Sequence, residues 1–398
     1  MAQQGPISET ELIRAAPKRV YLDTQDFSRF GELVRGKPDG QSKELFDYLL
    51  SKAGTGEVQF VYSMVTLSEL LQYHPDFEAT TMARAEAVEL LCNGWCCINP
   101  SRLLAREAAI ALKGSGHDLA VVQSRDNWTP NISNVFEDFD QKLTEIKQSI
   151  IAESVGMNRR ARRIAEKGAS DRAFARMLHE AAPLIAGEYG LSEKGFLGAF
   201  LLHHKGKISA EDASKRFFSE VSRPTRFVKI YFEKYDGDKN FPQWISGAGE
   251  KLKSGMERTI EGLAALPLDA VKHHWAGLFE GQRQRISAML LGLAAPELEE
   301  FGLSEAELDS LEGNHLVRTM MPIRVYVDLL KAYLAQTIGI HGTKAELERG
   351  LAGDLMHSMY APYVDVWRSD RRFAAVARTV DLGRATVCSR LSELPNLI

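Results

Sequence analysis

Strand-like segments sit at the two ends of this chain and almost nowhere between them, and that distribution limits the fold more than any other feature. The N-terminal part alternates. Residues 18–24 (Arg19-Val20-Tyr21-Leu22-Asp23-Thr24 within them) read as a buried strand, Gly31 to Ser42 as a glycine-rich loop and Glu44 to Lys52 as a helix. Val58 to Tyr62 is a second strand, Thr66 to Tyr73 and Phe77 to Leu91 are helices, Trp95 to Ile98 is a third strand, and a helix follows from Arg102 to Leu112. Strands alternating with helices point to a parallel sheet covered by helices. From about residue 113 to 315 strand signals all but vanish. Val135 to Val155 carries Phe136, Phe139, Leu143, Ile146 and Ile150 at helical spacing, and further helices are expected over 170–188, 192–204, 210–222, 225–234, 257–266, 283–294 and 304–311. A long helix is expected from about Leu316 to Thr337, kinked or started by Pro322. After Gly342 the alternation returns, with a helix over 344–361, a strand over 364–367, a helix over 371–379 and a last strand from Ala385 to Cys388. The expected architecture is an α/β fold, a parallel sheet flanked by helices, split into parts 18–112 and 316–398 by an all-helical insert over 113–315.

With 398 residues, 44% of them hydrophobic and 26% charged, the chain can bury a sizeable core. Its net charge of −4 excludes a global basic field, so a nucleic-acid partner would need a local patch. Three of the four cysteines crowd into Cys92-Asn93-Gly94-Trp95-Cys96-Cys97 without a CxxC pair or accompanying histidines. A disulfide scaffold and a structural zinc site both fit that spacing poorly, and buried thiols fit it better. Residues 1–16 lack an apolar signal core, and no run is long enough to span a bilayer. The expectation is a cytoplasmic protein without a membrane partner.

Carboxylates recur where strands end and helices begin. Asp23 closes the first strand, Glu69 lies in Val65-Thr66-Leu67-Ser68-Glu69-Leu70 after the second, Asp354 lies in Gly353-Asp354-Leu355-Met356-His357, and Asp370 follows the strand that ends in Trp367-Arg368-Ser369. In open α/β sheets ligands bind in the crevice outside the carboxyl ends of the strands. Hard divalent cations take oxygen ligands there. Three or four converging carboxylates hold one or two such ions, which generate a hydroxide nucleophile and neutralise phosphate charge. Each residue also has an ordinary role. Asp23, Asp354 and Asp370 could cap helices, and Glu69 could be a solvated helix residue. Asp26 and Asp365 are weaker candidates; Asp365 begins its strand and so faces the other side. His357 shares a helix face with Asp354, either as a hydrogen-bonding neighbour of the acids or as a packed core histidine. No P-loop, GxSxG or HExxH motif occurs.

Laid out in this order, the residues resemble the PIN-domain ribonuclease family. The family pattern opens on a strand ending Leu22-Asp23-Thr24, continues through Thr66-Leu67-Ser68-Glu69-Leu70 and a helix bearing Asp354, and closes on Ser369-Asp370 followed by Arg371-Arg372-Phe373. The resemblance covers roughly 18–112 and 316–398 and leaves the insert aside. It implies a PIN-like metal-dependent endoribonuclease. Asp23, Glu69, Asp354 and Asp370 would be catalytic and ligate Mg²⁺ or Mn²⁺. Thr24 and Ser369, with Asp26, His357 and Asp365 as weaker members, would support the ligands, and the products would carry a 3′-hydroxyl and a 5′-phosphate. For RNA, two basic groups offer backbone contacts. Arg159, Arg160, Arg162, Arg163 and Lys167 form the densest run, and the alternative for them is a solvated helix face. Arg368, Arg371 and Arg372 flank Asp370 and suit bidentate phosphate binding, or else neutralise the acids. Two other readings stay open: a DNA-directed or structure-specific nuclease with the same site, and a non-catalytic PIN-like module whose helical insert binds a protein partner or inhibitor.

Overall fold

The computed structural model describes residues 16–37, 40–71, 75–129, 222–234, 267–312, 315–341 and 350–398, with scattered positions between 148 and 216. The first part holds β1 (Lys18–Tyr21), α1 (Thr24–Val34), α2 (Gly40–Thr55), β2 (Val58–Val61), α3 (Met64–Leu70), α4 (Glu78–Cys92), β3 (Cys96–Cys97), α5 (Pro100–Lys113) and β4 (Val122–Gln123). Then come α6 (Pro224–Lys234), α7 (Leu268–Gly292), α8 (Glu305–Glu312), α9 (Met321–His341), α10 (Leu351–Ser358), β5 (Val366–Arg368), α11 (Arg371–Ala377) and β6 (Thr386–Cys388).

Four strands form a parallel sheet in the order β2-β1-β5-β6. Tyr21 of β1 lies opposite Val61 on one side and Trp367 on the other. A parallel bridge from Tyr62 to Cys96 carries the sheet on to β3, which pairs antiparallel with β4. The sheet is therefore made from both ends of the chain. Successive strands run outward from β1 through β2 on one side, and the chain returns to start again at β5 on the other. The β1/β5 junction is the switch point of the sheet, where connections diverge and leave a crevice at the strand carboxyl ends. Side chains of adjacent strand residues enter different layers, as the pleat requires. Val20, Leu22, Phe60 and Val366 join one apolar core with Phe27 and Phe30. Tyr21, Val61 and Trp367 join the other with Leu104, Leu355 and Tyr360.

Several expectations need revision. The loop expected from Gly31 to Ser42 shrinks to the stretch between α1 and α2, because Gly31 belongs to α1. A Cβ there would meet the backbone of Arg84 in α4 at 2.9 Å, so this glycine serves close helix packing and not a turn. The stretch expected to lack strands contains β4, only two residues long. On either side of position 315, Trp275, Phe279 and Leu290 of α7 share one core with Leu104 of α5 and Leu330 of α9. Pro322 is the second residue of α9, where its missing N–H costs nothing. The helices expected over 135–155, 170–188, 192–204 and 257–266 lie wholly or largely outside the described residues. All four cysteines are free and buried. Among the described residues no helix is long and apolar enough to cross a membrane.

Candidate active site at the sheet switch point

Two of the acids begin helices. After β1 the chain enters α1 through Asp23, whose Oδ1 accepts from the Gln25 amide at 2.8 Å. After β5 it enters α11 through Asp370, whose Oδ1 accepts from the amides of Arg372 at 2.6 Å and Phe373 at 3.0 Å. The capping role open to both from sequence is thus real, and it fixes a carboxylate at each of two neighbouring strand ends. Asp354 does not cap; it lies one turn inside α10, whose N-cap is Gly350. Glu69, in the last turn of α3, is no ordinary solvated residue. Its Oε2 accepts from Thr24 Oγ1 at 2.7 Å and lies 2.9 Å from His357 Nε2. Its Oε1 lies against α10 where Gly353 has no side chain, and a Cβ at 353 would overlap it.

These four acids share one field. Asp354 is pushed up to about 8, first by desolvation and then by Asp370, with Asp23 and Glu69 adding to it. Asp23 is also raised by desolvation and by Glu69, against the Gln25 amide, His357 and Arg368. Glu69 goes the other way. Desolvation pushes it up, but the charge and hydrogen bond of His357, together with Thr24, hold it below the usual carboxylate range. His357 is buried, which disfavours its charge, yet Glu69, Asp23 and Asp354 raise it above the ordinary histidine value.

The orientation of His357 comes from residues that motif reading passed over. Its Nδ1 is 2.6 Å from the Tyr21 hydroxyl, which in turn meets Ser63 Oγ at 2.6 Å and Thr66 Oγ1 at 3.2 Å. The Tyr21 hydroxyl thus links His357 to Ser63 and Thr66. Ser63 and Thr66 also form the capping box of α3, the helix that carries Glu69. Tyr21 reads as core because it lies inside an apolar strand. Ser63, the residue just before α3, shows only as a generic cap signal.

The remaining candidates divide. Thr24 is in the cluster through Glu69. Asp26 is buried and paired with Arg368 at 3.1 Å; desolvation, against Arg368, lifts it to about 7, and its Oδ2 has no hydrogen-bond partner. Arg368 also donates to the Ser369 carbonyl, so its guanidinium works inside the protein and neutralises acid. Ser369 is buried, its amide bonded to Cys388 O at 3.1 Å. Asp365 is at the other end of β5 and does not join the cluster. It accepts from the Arg19 amide at 2.7 Å and faces Arg384 Nε at 3.5 Å. Arg371 is exposed, and Arg372 lies 5.5 Å from the Tyr333 ring centre. Arg159, Arg160 and Arg163 are exposed helical residues, while Arg162 and Lys167 lie outside the described residues.

As the side chains stand, no three His, Cys, Asp or Glu among the described residues close around one ion position. The acids share an electrostatic field, not a preformed coordination shell. Their donor chemistry, carboxylate oxygen in excess over one imidazole, suits Mg²⁺ or Mn²⁺ more than zinc or copper. Comparison of the chain with protein-family models, with curated proteins and with solved structures finds no match.

Proposed function

We propose that the chain is a PIN-like, metal-dependent endoribonuclease acting at the β1/β5 switch point. One observation carries the reading. Carboxylates from four separate elements act on one another electrostatically, and Asp354, desolvated and facing Asp370, Asp23 and Glu69 against His357 alone, is pushed up to about 8. Acids shifted by burial together with neighbouring charges are candidates for functional sites.

Asp23, Glu69, Asp354 and Asp370 would hold Mg²⁺ or Mn²⁺, and the fit is one of charge: each acid raises or is raised by another. When bound, the ion supplies Lewis-acid chemistry for phosphodiester hydrolysis. The chain itself supplies position. Caps lock Asp23 and Asp370 in place through one oxygen each. Thr24, His357 and the bare backbone at Gly353 fix Glu69, and Tyr21 fixes His357. All four carboxylates keep some solvent exposure, so ion and substrate can reach them.

The test is cleavage of a labelled RNA with Mn²⁺ present. The full chain is expected to release fragments with 3′-hydroxyl and 5′-phosphate ends, and Asp354→Asn to lose that activity. Cleavage that survives excess chelator, or that is undiminished in Asp354→Asn, rejects the reading. DNA offered in the same assay settles which nucleic acid is cut. A chain that binds no Mn²⁺ at equilibrium belongs to the non-catalytic reading.

A further inference from the structure

We infer that the cavity adjoining Asp370 is a binding channel for single-stranded nucleic acid, in which Arg29, Arg371 and Arg390 hold phosphates and Tyr48 stacks a base. The inference depends on the nuclease reading for its place in the reaction and not for its binding chemistry. The cavity, of about 960 Å³, opens between α1, α2, the turn from β5 into α11 and the segment after β6. Four arginines line it, Arg29, Arg368, Arg371 and Arg390, against two acids, Glu44 and Asp370. In a chain of net charge −4 this is a local reversal of sign, and such walls concentrate polyanions.

Three of those arginines are available. Arg368 is taken by Asp26. Arg29 and Arg371 are exposed, and neither has an ion-pair partner among the described residues. Arg390 has only Glu393, at 3.9 Å and half exposed, a pairing of little strength. The wall also includes Gln41 and Ser42 in the first turn of α2, a helix end that favours anions. Tyr48 on the same wall is one of only four exposed large apolar side chains among the described residues. Lys52 Nζ lies 5.8 Å over its ring, adding positive charge beside the aromatic surface. A paired base is already stacked on its neighbours, so an aromatic platform with scattered phosphate contacts selects unpaired strands. Asp370 belongs both to this wall and to the acidic cluster, so a strand lying here leads directly into the carboxylates.

The experiment is fluorescence anisotropy of the full chain with a labelled single-stranded RNA of about 12 nucleotides, in chelator, so that binding is read without cleavage. Arg29→Glu with Arg390→Glu is expected to weaken binding about tenfold or more and to reduce the salt slope by about 1.4, near 0.7 per lost phosphate contact on a single strand. Tyr48→Ala is expected to weaken binding about tenfold with the salt slope unchanged. These positions are exposed, and melting curves check that the variants fold. No binding by the wild-type chain, or binding by all variants equal to wild type, overturns the inference. Equal affinity for a duplex of the same sequence overturns the single-strand assignment. Competition by polyglutamate as strong as by RNA, with no effect of Tyr48→Ala, assigns the cavity to an acidic protein and overturns it too. Failure here is separable from failure of the enzyme reading. Manganese-dependent cleavage that the charge-reversed variant performs at wild-type efficiency sinks the channel alone. RNA binding lost in that variant, in a chain that never cleaves, sinks the nuclease alone.

Discussion

Strand β5 begins beside one aspartate and ends before another, and the two meet opposite fates. Asp365, at the start, is absorbed by its surroundings: the Arg19 amide donates to one oxygen at 2.7 Å and Arg384 faces the other at 3.5 Å. Asp370, at the end, also satisfies amides, but it does so in a crevice that already holds Asp23, Glu69 and Asp354. The difference follows from the direction of a parallel sheet. At the strand carboxyl ends helices begin, and their unpaired N–H groups draw carboxylates in. Two acids meet that demand here. Glu69, from the last turn of α3, and Asp354, from within α10, exceed it, and His357 opposes them among the described residues. Capping alone accounts for half of the cluster, and the surplus is what needs a function.

The strongest way to break this contrast is to neutralise one acid at each end. Asp23→Asn keeps the cap, since Asn caps as well as Asp. Manganese-dependent RNA cleavage is expected to fall about a hundredfold or more, the scale on which lost transition-state electrostatics are felt. Melting temperature should hold or rise, because a desolvated charge has been removed. Asp365→Ala should do the reverse, leaving the Arg19 amide unpaired, lowering stability by about 1–3 kcal/mol and sparing cleavage per folded molecule. Full activity in Asp23→Asn, or lost activity without lost stability in Asp365→Ala, would show that the two ends do not differ in kind.

Two glycines sharpen the contrast at smaller scale. In Gly353→Ala the new Cβ meets the flexible end of Glu69, so the side chain and not the helix must move. Glu69 then loses its grip on Thr24 and His357, and a drop in cleavage of about tenfold is expected, the kind of penalty that misplacement near 1 Å carries. Stability should stay within about 1 kcal/mol, since alanine is the better helix former. In Gly31→Ala the Cβ meets backbone, and α1 and α4 must separate. Destabilisation of about 1–3 kcal/mol with normal activity per folded molecule is expected there. Denaturant titration beside the cleavage assay reads both, and a Gly353→Ala protein that unfolds early while cutting normally would assign that glycine to packing.

How much of this was legible in the sequence depends on range. The acids that end strands, Asp23 and Asp370, announce themselves because the apolar run and the carboxylate are adjacent. The parallel sheet follows from the alternation at the two chain ends. Gly31 misleads, because a glycine that lets two helices touch looks the same as one that makes a loop. The two-residue strand β4 is too short to show a period, whereas β3 lies inside the strand expected from Trp95 to Ile98. The bond between Tyr21 and His357 spans 336 positions, and no local pattern encodes it. Two of the four cavity arginines escaped for a similar reason. Arg29 and Arg390 come from distant segments, whereas the run from Arg159 to Lys167 is dense along the chain and caught the eye.

The smallest expected effect tests whether crowding, and not burial alone, distinguishes the cluster. Asp126 is a raised acid without such company. Desolvation lifts it and Glu89 adds to that, against the Tyr62 hydroxyl bond of 2.6 Å and Arg223. Its backbone is left-handed, φ 55°, a conformation that asparagine accepts. Asp126→Asn keeps an acceptor for Tyr62 and discards the charge, so a small stabilisation is expected near neutral pH. The sign with pH follows from proton counts. The folded state holds this proton above the unfolded value of about 3.9, so wild-type stability from this group falls as pH rises through that window. The advantage of Asp126→Asn should therefore grow with pH across it and vanish at more acidic pH, where both states are protonated. Manganese should make no difference. Asp354→Asn behaves otherwise on the cluster reading: more stable than wild type in chelator, and less stable in saturating Mn²⁺, where wild type alone gains the full binding energy of the ion. Melting temperatures of both variants across pH, with and without Mn²⁺, measure this. An ion-independent gain in both would reduce the site to four neighbouring acids with nothing to hold.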